Sequence, residues 1–156
     1  MRLRGLWTVI VGVGLVLSLG ESGRASEPMR EFLDGLRARQ YFDWAILYLD
    51  QLQERSDLPA DLKAIIPYER AMTLSESAKH SVSPETQQRQ FDQALGFLEQ
   101  FTKESPNHPL AATANSTRAG LLLSKARVDI MQAKLPTNKD NRSEFQDKAR
   151  EQITLA

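Results

Sequence analysis

Three features of the sequence predict an all-α protein. Beyond the first 25 residues the chain keeps only Gly35, Gly96 and Gly120. Glycine is costly inside helices and frequent in β-turns, so this scarcity argues against a hairpin-rich sheet. Apolar residues recur at helical spacing: Phe91, Ala94, Leu95, Leu98 and Phe101 follow i, i+3, i+4, i+7 and i+10. Pro59, Pro84, Pro106, Pro109 and Pro136 fall between such stripes, where a helix can end without losing interior hydrogen bonds.

The amino-terminal segment reads as a leader. Met1 to Arg4 is a short basic start, Gly5 to Gly20 carries no charge, and Gly23 and Ala25 place small residues at −3 and −1 of a cleavage site after Ala25. This pattern predicts a secretory signal peptide over residues 1–25 and export to a periplasmic or extracellular space. The uncharged stretch would span roughly 24 Å as a helix, short of the ~30 Å hydrocarbon core. The alternative is an uncleaved membrane anchor over residues 5–20.

Six helices follow within residues 26–156. The first runs from about Pro28 to Ala38, with Met29, Phe32, Leu33 and Leu36 on one face. The second runs from about Phe42 to Arg55. A third opens at Pro59 and reaches about Lys79, and Pro67 inside it predicts a kink or a restart. Ser83 caps a fourth, opened by Pro84 and running to about Lys103. SPNHP turns the chain into a long fifth helix from Pro109 to about Leu135. LPTNKDN breaks it, and a sixth begins near Ser143.

Within this series a repeat emerges. Residues 41–52 superpose on 90–101 at an offset of 49, matching Phe42 with Phe91, Asp43 with Asp92, Ala45 with Ala94 and Leu49 with Leu98. A fainter copy places Ala149 and Ile153 where Ala94 and Leu98 stand. A small alanine lets a neighbouring helix approach closely, and the large residues beside it fill the flanks. One helix pair cannot bury such a stripe alone, so pairs stack. Phe42, Ala45, Leu49, Phe91, Ala94, Leu98, Phe101, Ala149 and Ile153 are the expected repeat-packing residues.

The Ala94-x₃-Leu98 motif followed by Pro106, and Ala45-x₃-Leu49, resemble the second helix of the tetratricopeptide repeat. The first-helix motif of that family is met only by Met29, Phe32, Leu33 and Leu36, without its tryptophan, glycine and tyrosine. The spacings of 49 and 55 exceed the usual ~34. The resemblance implies three antiparallel helix pairs, about 28–55, 59–103 and 109–156, stacked as a short right-handed solenoid. A plain helical bundle is the alternative.

Composition and motifs bound the function. Twenty basic residues balance twenty acidic ones, and the leader holds Arg2, Arg4 and Arg24 against Glu21, so the remainder is slightly acidic. That balance does not suit nucleic-acid binding. The absence of cysteine excludes disulfides, thiolate metal sites, thiol catalysis and lipid attachment through cysteine. No nucleophile elbow, zinc-protease or phosphate-loop motif occurs, and neither a catalytic residue nor a cofactor or metal site is expected. His80 reads as a helix-terminal residue and His108 as a turn residue. Asp43 and Asp92 read as early-helix acids suited to the helix dipole. Asn115 and Asn141 match the glycosylation tripeptide weakly. Tyr41, Phe42, Trp44 and Tyr48 form an aromatic cluster that reads as core and inter-repeat packing, with a ligand platform as the alternative.

The resulting expectation is a non-catalytic interaction scaffold with a protein or peptide partner. The family resemblance implies that first helices line a concave face, which on the first helix would present Arg30, Asp34 and Arg37 to that partner. Two other readings are a helical accessory region of a larger envelope enzyme and a membrane-anchored assembly factor. The sixth helix carries an apolar face with no capping element after it, so further repeats or self-association are expected at that edge.

Overall fold

The computed structural model describes residues 22–156. Among them stand six α-helices: α1 Ser22–Ala38, α2 Phe42–Glu54, α3 Ala60–His80, α4 Pro84–Glu104, α5 Ala111–Lys134 and α6 Arg142–Leu155. A single 3₁₀ turn, Pro136–Asn138, joins the last two. The fold is all-α, as the sequence predicts. The proposed signal sequence lies outside the described residues up to Glu21.

Two boundaries differ from expectation. Helix α1 starts at Ser22, so it runs through Ala25 and contains Pro28. Arg24, Ala25 and Glu27 are adequate helix formers, and Pro28 withdraws only one backbone donor. Helix α3 continues unbroken through Pro67, with no restart. Its neighbours Ile65, Ile66, Tyr68 and Ala71 are all buried, and that packing outweighs the local cost of proline. Other signals act where expected: the Ser83 side chain accepts from the Thr86 N–H, with Pro84 in the first turn.

Contacts between helices fix their directions. Phe42 meets His80, and Asp50 pairs with Arg70, so α2 and α3 are antiparallel. Gln90 donates to Ser77, and Tyr68 packs on Phe101, so α3 and α4 are antiparallel. Gln88 reaches Asp129 while Asp92 pairs with Lys125, which reverses α5 against α4. Arg142 bonds the Ala133 carbonyl and Gln152 reaches Asp129, which reverses α6 against α5. Arg30 and Arg37 meet Glu69 and Thr73 in rising order, so α1 and α3 run the same way.

One core runs through the described residues, from Met29 and Leu33 on α1 to Val128 on α5. Ala45, Ala94 and Ala149 are all buried, and Ala149 is the one buried residue of α6. Phe91, Leu49, Leu98 and Phe101 are buried beside them, and Phe42 is half-buried. Ile153 differs from its counterparts: it is 50% exposed, because no described element lies beyond α6 to cover it.

Candidate functional site

Arg30, Asp34 and Arg37 do not form an open charged face. The Arg37 side chain is only 11% exposed and points at α3. Its guanidinium donates to the Glu69 carboxylate at 2.7 Å, to the Glu69 carbonyl at 2.8 Å and to Thr73 Oγ1 at 3.1 Å. Arg30 donates to the other Glu69 oxygen at 3.0 Å. Glu69 is itself buried, so two arginines of α1 clamp one interior carboxylate of α3. Of the three, Asp34 is the one well exposed side chain. Helical spacing groups these residues correctly but cannot reveal that a buried acid on α3 waits for them.

The opposite side of the α1–α2 hairpin is apolar and open. Phe32, Leu36, Tyr41, Trp44, Leu47 and Tyr48 line a groove of about 390 Å³, with Gln51 as its one non-aromatic polar side chain. Phe32 and Tyr48 meet edge to face, ring centres 4.9 Å apart, which fixes the groove's floor across the two helices. The hairpin is set by a left-handed residue, Gln40, at φ 61°. Its N–H bonds the Arg37 carbonyl and the Tyr41 N–H bonds the Leu36 carbonyl, the paired pattern that ends a helix tightly. Tyr41 and Trp44 therefore stand at the groove immediately after the reversal.

This corrects the reading of the aromatic cluster as packing. Phe42 does pack, stacked on His80, and Tyr48 is half-buried. Tyr41 and Trp44 are largely exposed, Trp44 at 65%. Helix α2 carries two apolar stripes: Phe42, Ala45, Leu49 and Leu52 face the core, while Trp44, Leu47 and Tyr48, at i, i+3 and i+4, form a second one on the far side. The internal repeat holds a usable signal for the second stripe. At the offset of 49, Trp44 corresponds to Gln93 and Leu47 to Gly96; in α6 the matching positions are Lys148 and Glu151. All four counterparts are exposed, and a Cβ at Gly96 would meet nothing within 4 Å. The scaffold thus needs no large apolar side chain there.

At the other end, α5 and α6 enclose a second hollow of about 510 Å³. Ile130, Ala133, Ala149 and Ile153 form its apolar part, and Lys134, Arg142 and Arg150 its charged part.

The remaining candidates have structural partners. His80 ends α3, and His108 Nδ1 accepts from the Leu110 N–H within the turn. Asp43 lies in the first turn of α2, but Asp92 lies mid-helix because α4 begins as early as Pro84; it pairs with Lys125 of α5. Asn115 and Asn141 are exposed, Asn115 within α5 and Asn141 at the start of α6. Among the described residues no cluster of three histidines or acids is placed to hold a metal ion, and no helix is long and apolar enough to cross a membrane. Comparison with family models, curated proteins and solved structures finds no match to this chain.

Proposed function

We propose that this chain is an exported, non-catalytic protein-interaction scaffold of tetratricopeptide-like helix pairs, and that it holds its partner at the α1–α2 aromatic groove. One observation carries the reading. Trp44 is 65% exposed at a repeat position filled elsewhere by Gln93 and Lys148, so the tryptophan serves something other than folding. Tryptophan and tyrosine are the side chains that most often dominate protein interfaces, because they offer large rigid contact area with a polar tip. The antiparallel pairs, with α1 parallel to α3, support a stacked arrangement in which the outer hairpin keeps one face uncovered.

Trp44→Gln borrows the side chain of the equivalent position in α4, so the variant should fold like the parent. Pull-down from the envelope or secreted fraction, comparing parent with Trp44→Gln, tests the reading. Partners captured by the parent should be lost with the variant. Equal capture by both would place binding elsewhere. Export is tested separately by N-terminal sequencing of the native protein: Ser26 is the expected first residue, and retention of Met1 with membrane fractionation would overturn cleavage.

A further inference from the structure

The two ends of the molecule carry complementary surfaces. At the α1–α2 end, the apolar groove has acidic surroundings. Glu31 lines a hollow that shares Phe32 and Leu36 with the groove. Asp43 and Glu54 are exposed on α2, four residues before Leu47 and three after Gln51, on the groove's side of that helix. Two cations lie near them: Arg39 lines the hollow with Glu31 and donates to the Gly35 carbonyl, and Arg55, next to Glu54, is paired with Asp57. At the α5–α6 end, Ile130, Ala149 and Ile153 sit with Lys134, Arg142 and Arg150; no acid lines that hollow, though Arg150 also pairs with the exposed Asp147.

The α5–α6 face is also of the kind this chain already joins within itself. Hairpin stacks on hairpin through alanine-centred stripes such as Ala45 and Ala94. Ile153 occupies the repeat position of the fully buried Leu98, yet stands half-exposed.

Resting on the proposal that the aromatic groove is a docking site, we infer that its partner is the α5–α6 end of a second copy of this chain. Ile153 and Ile130 would supply apolar contact to Trp44 and Leu47, and Lys134 and Arg150 would face Glu31, Asp43 and Glu54. The contact joins two different surfaces, so it is head-to-tail and builds a ring where the rotation closes and an open filament where it does not. Unlike charges across it set the polarity: like ends repel.

A charge exchange on the full-length chain tests this. One variant, Glu31→Lys with Asp43→Lys and Glu54→Lys, makes the first end basic. Another, Lys134→Glu with Arg150→Glu, makes the second end acidic. All five substitutions are at exposed positions, so folding should persist, which circular dichroism checks. Sedimentation should show concentration-dependent association of the parent, weakened roughly tenfold or more in each variant alone and recovered when the two are mixed. In the cysteine-free background, Gln51→Cys on one copy should cross-link to Gln146→Cys on another, and neither should cross-link to itself. A parent that stays monomeric, variants that associate like the parent, or a mixture that fails to recover would each overturn the inference. A monomeric parent that still captures another protein through Trp44 would defeat self-assembly alone and leave the scaffold reading standing.

Discussion

The Arg37 guanidinium and the Glu69 carboxylate meet at 2.7 Å with side chains 11% and 3% exposed, and this pair fastens α1 to α3. Arg30 shares the same carboxylate, and the Glu69 carbonyl and Thr73 hydroxyl take further donors from Arg37. Such a cluster specifies geometry as much as it stabilises, because a buried charge without its partner is costly.

Arg37→Ala should therefore destabilise the protein by about 2–4 kcal/mol, somewhat softened because Arg30 remains on Glu69. Arg37→Leu combined with Glu69→Met should cost less than Arg37→Ala, since the pair is removed whole. Urea unfolding of the parent and the two variants measures the difference. A single variant as stable as the parent would show that the clamp contributes nothing to holding α1.

Gln40 sits at φ 61°, where a side chain is disfavoured and glycine is not. Gln40→Gly should raise stability by about 0.5–1 kcal/mol, without disturbing the two backbone bonds that close the α1–α2 turn. A lower urea midpoint in the variant would mean that the Gln40 side chain holds the turn by contacts that outweigh its backbone strain.

That turn also shows where the sequence is readable and where it is not. A helix with a start signal of its own is legible: Ser83 and Pro84 announce α4, and the Ala45, Ala94 and Ala149 register marks a buried position in three helices. The α1–α2 reversal falls where the sequence places it, between Ala38 and Phe42, but its left-handed residue is not announced, because it is a glutamine and not a glycine. The candidate site was less legible for a different reason. Periodicity reports that Trp44 and Tyr48 are apolar and helical, but says nothing of which side has a neighbour, and α2 is apolar on two sides. For Arg30 and Arg37 the missing information was the distant partner, Glu69, 39 and 32 residues away.

Ala94 has no exposed surface and lies where α4 meets its neighbours, whereas Gln93 beside it is exposed. Ala94→Leu should overpack that contact and cost about 1–3 kcal/mol. Gln93→Leu adds similar bulk into solvent and should stay within about 0.5 kcal/mol of the parent. Thermal melts of the two variants make the comparison. Equal melting would show that the alanine register is not a packing requirement.

Tyr68 gives the fold a defined weakness at high pH. It is 6% exposed and packs on Phe101, with ring centres 5.5 Å apart. Burial holds its phenol above the ordinary pKa, and the nearby Glu69 carboxylate adds to the shift, opposed by Arg30 and Arg37. The folded chain thus binds this proton more tightly than the unfolded chain does. A group of that kind contributes stability that is complete below the unfolded value, about pH 10, and is lost as pH rises through the raised folded value. Urea stability should therefore fall steeply above about pH 10. Tyr68→Phe keeps the ring against Phe101 and has no proton to lose, so its alkaline decline should be shallower than the parent's. The gap between the two curves should widen with pH. Parallel curves would locate the alkaline weakness elsewhere, and Tyr68 would then ionise no less readily inside the fold than in the unfolded chain.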